Sequence, residues 1–546
     1  MEATAHVDTF VRDHLPPKAQ WPKLVFDLPE LRYPKRLNCA AELLDASVAA
    51  GHGERAVIRT LIEGKTYSCT YRQLQQRANQ IAWVLIEDLK LKPGNRVLLR
   101  APNNPMMAAC LLAVIKAGLV AVPTMPLLRA AELKQIIDKA RIGAALCDAR
   151  LAQELELARP ACRDLKQVLY FNGDGADALE QRLAPKPAGF SNIDSAADDP
   201  CLIAFTSGTT GRPKGTVHFH RDVLVMCDCF PRSCLKPRQD DIFCGTPPLA
   251  FTFGLGGMLC FPMRFGASTV LMERLTPDAL LATVQKLKAT ICFTAPTYYR
   301  QMAGLAKNYD LTSLAKCVSA GEALPDATRQ LFKDATGIEI IDGIGATEMI
   351  HIFISHTPER VRRGAIGYAI PGYEAKILDV AGKPCAPGET GRLAVKGPTG
   401  CRYLADARQQ DYVIGRGSMR GWNLTGDTCK MDAQGYVYYQ ARSDDMIISA
   451  GYNIAGPEVE AVLLQHPAVA ECGVIGVPDA ERGQIVKACV VLKSGYTGND
   501  PMVKELQEFV KKSIAPYKYP RAVEFMAALP RTETGKLQRF RLREAG

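Results

Sequence analysis

Short apolar runs bounded by turn residues alternate with helical periodicities along most of this chain. Residues 96–100 (R-V-L-L-R) predict a strand. It leads through Ala101-Pro102-Asn103-Asn104 into a helix over 105–116, then a strand over 119–123. Further strands are expected at 144–147, 167–171, 201–205, 268–271, 289–294 and 317–319, with helical segments between many of them. That alternation argues for α/β layers with largely parallel sheets. Between 364 and 440 the character changes. Strand-like runs at 374–378, 392–396 and 436–440 are joined by glycine and proline turns, as in a small β-barrel or meander. A charged stretch, Arg442 to Met446, marks a boundary and divides the chain into 1–443 and 444–546. The second part predicts a compact α+β unit: a strand at 447–449, a helix at 456–465, strands at 468–477 and 485–492, and a helix at 500–511. About 100 residues suffice for an independent domain.

Composition narrows the class. With 546 residues, 47% hydrophobic and 23% charged, the chain exceeds one ordinary core and has the balance of a soluble globular protein. The net charge of +10 is spread over 67 basic and 57 acidic residues, without the basic block of a nucleic-acid arm. A mildly positive surface suits small polyanionic substrates. The N-terminus lacks an apolar signal region, and the most apolar stretch, 106–122, is interrupted by Lys116 and Gly118. A cytoplasmic protein with neither membrane nor nucleic-acid partners is therefore expected, either a monomer or a homodimer. The 18 cysteines show no pairing rhythm and read as reduced core residues. His218, His220, Cys227, Cys229 and Cys234 match no standard zinc spacing and read as structural.

The densest chemistry lies at Ala204 to Gly215, A-F-T-S-G-T-T-G-R-P-K-G. Glycines allow positive φ and bring N–H groups close to an anion. Thr206, Ser207, Thr209 and Thr210, around Gly208 and Gly211, add hydroxyl donors, and Lys214 adds a charge. Such a loop suits the tail of a nucleoside triphosphate. It is not a Walker loop, because Gly215 is followed by Thr216 and Val217. Nor does Gly343-Ile344-Gly345 supply the third glycine of a dinucleotide fingerprint.

The loop resembles the signature of the adenylate-forming superfamily of acyl-CoA synthetases, peptide-synthetase adenylation domains and luciferases. D-G-I-G-A-T-E-M (Asp342 to Met349) is similar to its second motif, W-N-L-T-G-D-T-C-K (Trp422 to Lys430) to its ribose element, and A-R-S-D-D-M-I (Ala441 to Ile447) to its G-R-x-D-D stretch. P-R-T-E-T-G-K-L-Q-R (Pro530 to Arg539) is similar to its C-terminal motif. The resemblance implies two α/β lobes plus a β-barrel, followed by a small mobile C-terminal domain. It implies ATP, Mg²⁺ and coenzyme A as the cofactors and co-substrates of an acid–thiol ligase. Lys536, Thr347 and Glu348 would be catalytic, with Glu348 holding Mg²⁺ and Thr347 touching the α-phosphate. Asp342, Gly343, Asp427 and Arg442 would contact the nucleotide, and Ala320, Gly321 and Glu322 its purine. Asp444 would be the hinge, and Ser449, Ala450 and Gly451 would line the coenzyme A tunnel.

The acyl group is read from P-L-A-F-T-F-G-L-G-G (Pro248 to Gly257), which the resemblance places beside the acyl pocket. No aspartate occurs there to pair with an α-ammonium, and Phe251, Thr252 and Phe253 make the wall aromatic. Tyr298, Ala320, Gly345 and His351 would complete it. Flat walls suit a flat aromatic acid. The whole chain is similar to bacterial benzoate– and 2-aminobenzoate–CoA ligases, which makes an aromatic carboxylic acid the expected substrate and 2-aminobenzoate the first choice. A stand-alone aryl-adenylating enzyme loading a carrier protein is the second reading. A nucleotide-binding regulator is disfavoured by the joint presence of Lys536, Glu348 and Asp427.

Overall fold

The computed structural model describes the chain except residues 1, 63, 174, 176–177, 207–212, 444, 450–451, 480, 532–536 and 545–546. Among the described residues the strands form four sheets. In the first, the order is Gln167–Phe171, Ala144–Asp148, Arg96–Arg100, Val120–Thr124, Pro200–Thr206 and Lys214–Phe219. All neighbours are parallel until the last two, which pair antiparallel. The second sheet runs Tyr368–Ala369, Ile352–Ser355, Ile340–Gly345, Lys316–Ser319, Ile291–Thr294, Ile242–Gly245, Ser268–Val270, Ala56–Ile62 and Lys65–Thr70. Its middle is parallel and both edges are antiparallel.

Local rules explain these elements well where burial is uniform. Helix Pro105–Lys116 begins where the Asn104 side chain accepts from Met107 N at 2.9 Å and proline occupies the first turn. It is buried along nearly its whole length between sheet and neighbouring helices, so its apolar run is unbroken by a solvent face. Lys116, at its end, is also buried and gives its ammonium to Asp45. An unpaired charge there would be prohibitive, so the pair keeps the interruption within the core.

Glu374–Leu378, Thr390–Lys396, Asn423–Met431 and Val437–Arg442 form an antiparallel meander. Strand Asn423–Met431 escapes a reading by apolar runs because its buried face is polar: Asn423, Thr425 and Asp427 point inward while Leu424 does not. The strand expected at 436–440 is shifted to Val437–Arg442, where pairing with Asn423–Met431 carries it on to Arg442.

The remaining sheet has the order Tyr452–Ile454, Ile447–Ser449, Gly483–Leu492 and Val469–Asp479, with Ala522–Phe525 alongside Gly483–Leu492. Helices Gly456–Leu463 and Asp500–Ser513 cover it, and Ile447, Val459, Leu463, Val474, Val486, Leu506 and Val510 form its own hydrophobic cluster. No helix among the described residues is long and apolar enough to cross a membrane.

Candidate active site

The strands on either side of the phosphate loop end as cross-strand partners, Thr206 opposite Lys214. The predicted loop residues Ser207, Gly208, Thr209 and Thr210 lie outside the described residues. Thr206 presents a buried hydroxyl that has no hydrogen-bond partner among the described residues. Lys214 extends its ammonium to 3.6 Å from Glu348 Oε1 and 5.2 Å from the Tyr403 ring centroid. Glu348 and Thr347 sit in a single 3₁₀ turn, Thr347–Met349, directly after strand Ile340–Gly345. The Glu348 carboxylate is buried and accepts a hydrogen bond from the Tyr403 hydroxyl. Burial, with the Glu348 charge beside it, drives the Tyr403 phenol far above its ordinary value, so it remains a donor.

Tyr403 lies in no motif, and no local pattern marks it. The fold delivers it because residues 402–404 run beside strand Lys214–Phe219: Val217 N donates to Arg402 O and Leu404 N to Gly215 O, both at 2.8 Å. Arg402 in turn pairs with Asp222 with both side chains buried, and its guanidinium lies 4.1 Å from the Phe219 ring centroid. This buried pair anchors Tyr403 against the phosphate strands.

The residues expected beside the purine follow the carboxyl end of a parallel strand, the usual ligand edge of an α/β sheet. Ser319 is in register with both Thr294 and Asp342, which brings Ala320 beside the start of the D-G-I-G-A-T-E-M motif. Gly321 has φ of 89°, a left-handed turn that a side chain would resist although the surrounding space is open. Asp342 is buried, and its carboxyl is pushed up to about 7 by that burial, against the opposing pull of Arg329 at 4.0 Å. Its Oδ1 accepts from Gly343 N at 3.0 Å. On the meander, Asp427 is in register with Arg442, and Arg442 Nη1 lies 3.3 Å from Asp427 Oδ1 and 2.9 Å from Thr425 O. Gly426, with φ of 78°, leaves the space that this guanidinium needs.

On the acyl side Phe253 and His351 meet at 5.7 Å between ring centroids, and Phe261 and Phe230 flank the imidazole at 4.6 and 5.9 Å. Burial pulls His351 down to about 3, only weakly countered by the Phe253 backbone, so the ring is neutral. Neither of its nitrogens finds a well-formed hydrogen bond among the described residues. Glycines make the packing possible. A Cβ on Gly256 would lie 2.6 Å from His351 Cδ2, one on Gly257 equally close to Phe293 Cδ1, and one on Gly345 2.7 Å from His351 O. Thr252 is buried and Phe251 half-buried on the same turn. Tyr298 is set apart: its hydroxyl donates to Leu275 O at 2.8 Å and its ring packs against a different hydrophobic cluster from Phe253.

The C-terminal unit meets the loop at 320–322, where the purine is expected. Arg531 and Leu537 form an antiparallel bridge, and Glu322 Oε1 accepts from Arg531 Nη1 and Leu537 N at 3.1 Å each. Lys536 itself lies outside the described residues, as do Asp444, Ala450 and Gly451. Ser449 is buried, 3.4 Å from Arg482 Nε. The position expected to be the hinge is flanked by Ser443 N donating to Gly426 O at 2.8 Å and by Asp445 paired with Arg543.

Of the histidines and cysteines after the phosphate loop, His220 alone enters a potential metal-ligating group among the described residues, with Cys39 and Cys201, their ligating atoms within 4.8 Å. Its Nδ1 accepts the Cys39 amide hydrogen at 3.2 Å, and Cys227 donates to Val223 O at 3.2 Å, as structural residues do. Glu348 offers what the cysteine group does not, a hard carboxylate beside the phosphate loop. One such carboxylate together with substrate phosphates is a usual donor set for Mg²⁺.

Lys214 beside Glu348 and a C-terminal unit hydrogen-bonded to Glu322 are the arrangement expected of a ligase that activates an acid with a nucleotide. Family models agree: the AMP-binding enzyme model matches residues 44–403 and the AMP-binding enzyme C-terminal domain model matches 458–536, so the chain belongs to the AMP-binding enzyme family. It is 33% identical over 522 residues to the benzoate–CoA ligase of Thauera aromatica, covering 95% of this chain and 98% of that one. The crystal structure of the anthranilate CoA ligase AuaEII in complex with anthranoyl-AMP superposes with a TM-score of 0.88 at 33% identity, covering 95% and 99% of the two chains. A benzoate CoA ligase from Burkholderia xenovorans LB400 gives 0.83 at 30%, covering 93% and 100%. The protein is an AMP-forming acid–CoA ligase of the benzoate–CoA ligase type, an enzyme that uses ATP and CoA.

Proposed function

We propose that this enzyme activates a one-ring aromatic acid, 2-aminobenzoate in the first instance, as its acyl-adenylate and then transfers the acyl group to CoA. The observation that carries the aromatic part is the Phe253–His351–Phe261 wall, which is aspartate-free, neutral and shaped by glycines that admit no side chain. The likeness to an anthranilate CoA ligase in complex with anthranoyl-AMP supports the ortho-amine, for which a His351 nitrogen without a hydrogen bond among the described residues is a fitting partner.

The carboxylate is a poor electrophile because its oxygen is a poor leaving group. In the first half-reaction a carboxylate oxygen attacks the α-phosphorus in line as the bond to pyrophosphate breaks. Charge gathers at the α-phosphate, where cationic groups help the transition state more than the ground state. In this reading Lys536 bridges the carboxylate and α-phosphate, Thr347 donates to the α-phosphate, and Lys214 with the 206–215 loop holds the β- and γ-phosphates. Glu348, held by the Tyr403 hydroxyl, would hold Mg²⁺, which when bound would neutralise the triphosphate. Asp427 accepts from the ribose hydroxyls, with Arg442 orienting it; Ala320, Gly321, Asp342 and Gly343 face the purine. The chain from Asp444 onward then turns, so that Ser449, Ala450 and Gly451 guide the thiol. Sulfur attacks the acyl carbonyl and AMP leaves.

Steady-state assays with benzoate, 2-aminobenzoate, hydroxybenzoates, cinnamates and C6–C12 fatty acids test the substrate. The expected outcome is the highest kcat/KM for a one-ring benzoate, with 2-aminobenzoate first. A fatty-acid preference overturns the aryl reading; a preference for benzoate overturns the ortho-amine alone. Labelled acyl transfer to CoA rather than to a carrier protein fixes the acceptor.

A further inference from the structure

We infer that Glu322 is a positioning residue for the first half-reaction, and that with Arg300 it docks the C-terminal unit, through the bridged pair Arg531 and Leu537, in the orientation that serves that step. The inference rests on the two-step reading above.

Glu322 follows the left-handed turn at Gly321, so the purine loop itself aims its carboxylate outward, toward the C-terminal unit. Oε1 receives Arg531 Nη1 and Leu537 N at 3.1 Å, the residues on either side of 532–536. Arg531 and Leu537 also bridge each other, and Gln538 N donates to Pro530 O at 2.9 Å, so the hairpin is closed at its base. Its other oxygen accepts from Thr297 Oγ1 at 3.1 Å. Arg531 is held from its own side by Glu471 Oε2 at 2.9 Å. The Glu322 carboxylate thus joins the first turn of helix Pro296–Leu305 to the base of the lysine hairpin.

The same helix makes a second contact. Arg300 donates through Nε to Ala470 O at 3.1 Å and through Nη2 to Leu464 O at 3.3 Å. These carbonyls follow helix Gly456–Leu463 and open strand Val469–Asp479, elements rigidly built into the C-terminal core. Arg300 therefore grips the body of the unit while Glu322 grips its working hairpin. Both contacts cross from one unit to the other and belong to one relative orientation, so a turn of the C-terminal unit must break them together. Charge-assisted hydrogen bonds at partly buried positions are strong enough to bias such an equilibrium. Removing them lowers the population of the hairpin-delivering state and leaves the thiol-accepting state untouched.

The test separates the half-reactions. ATP–pyrophosphate exchange with benzoate reports the first, and thioester formation from supplied benzoyl-adenylate and CoA reports the second. Glu322→Ala should lower exchange about ten- to hundredfold, a loss well beyond any change in the thioester rate. Glu322→Gln should recover part of the loss, because its amide oxygen still accepts from Leu537 N. Arg300→Ala should show the same split more weakly, and Lys536→Ala is the reference for complete loss of exchange. Equal losses in both steps, or a raised KM for ATP with kcat intact, overturn the assignment. Should the wild type lack exchange with every aromatic acid, the substrate reading has failed rather than this one. Hydrogen–deuterium exchange then decides: peptides spanning 537–543 should exchange faster in Glu322→Ala than in wild type, and equal rates refute the contact.

Discussion

Glu348 and His351 leave the same short stretch of backbone and enter opposite chemical environments. Glu348 turns to a lysine and a phenol, and its charge is met at each approach. His351 turns to three phenyl rings, and its polar atoms are left without well-formed partners. The first side is a cluster of lysine, carboxylate and phenol; in the proposed reading the second is completed by the substrate. Conserving charge balance restricts residue types, whereas lining an apolar wall restricts mostly shape. In the proposed reading the nucleotide half is accordingly fixed in chemistry, and selectivity is left to the aromatic half.

The largest effect expected from disturbing this contrast is on the charged side. Glu348→Gln should lower adenylation about 10²–10³-fold, comparable to loss of a preorganised group at developing charge, measured by pyrophosphate exchange. Tyr403→Phe should cost about tenfold in the same assay, since it removes one hydrogen bond to a charged group and keeps the ring. A Tyr403→Phe loss as large as that of Glu348→Gln would mean that the phenol touches the reacting atoms.

Acid should reveal the other side. His6, His218 and His356 are held down to about 4 and His351 to about 3, in each case chiefly by burial. The unfolded chain takes up these protons near pH 6.5 and the folded one does not, so stability is lost as pH falls from 6.5 towards 4. Each contributes about 2 kcal/mol of loss between pH 7 and 5. Asp342 opposes them. Pushed up to about 7, it binds its proton first in the folded state and returns about 2 kcal/mol over the same interval. Urea midpoints should fall markedly from pH 7 to 5, less steeply in His351→Phe and more steeply in Asp342→Asn. A flat profile would show that these histidines are hydrated in solution.

The smallest effect is the most specific. His351→Leu should reduce the preference for 2-aminobenzoate over benzoate by up to about tenfold, the value of a single neutral hydrogen bond, with the benzoate rate little changed. An unchanged ratio would assign the ortho-amine to another partner.

The same contrast explains what could be read from the chain. Helix Pro105–Lys116 and strands Arg96–Arg100, Gln167–Phe171, Glu374–Leu378 and Ile447–Ser449 fall where the apolar pattern predicts, because each is uniformly buried or cleanly bounded. Strand Asn423–Met431 was hidden, since its inward face carries the polar residues of the T-G-D element. Glu348, Asp342 and Asp427 stand in recognisable strings because a phosphate or ribose is met by consecutive backbone. Tyr403 and the Arg402–Asp222 pair depend on a chain crossing from far along the sequence, and no local pattern encodes such a crossing. Nor could spacing reveal that Glu322, in the purine loop, is also bound to the C-terminal hairpin.

The glycines of the acyl turn bear on redesign. At Gly254 an added methyl group would run into the Pro248 carbonyl, at Gly256 into the imidazole, and at Gly257 into Phe293. A saturation library across Pro248 to Gly257 should therefore be inactive or misfolded at these positions, and its useful diversity will come from Phe251, Thr252 and Phe253. Broadening this ligase toward bulkier acids means trimming rings that are already there, because the backbone between them has no room to accept anything new.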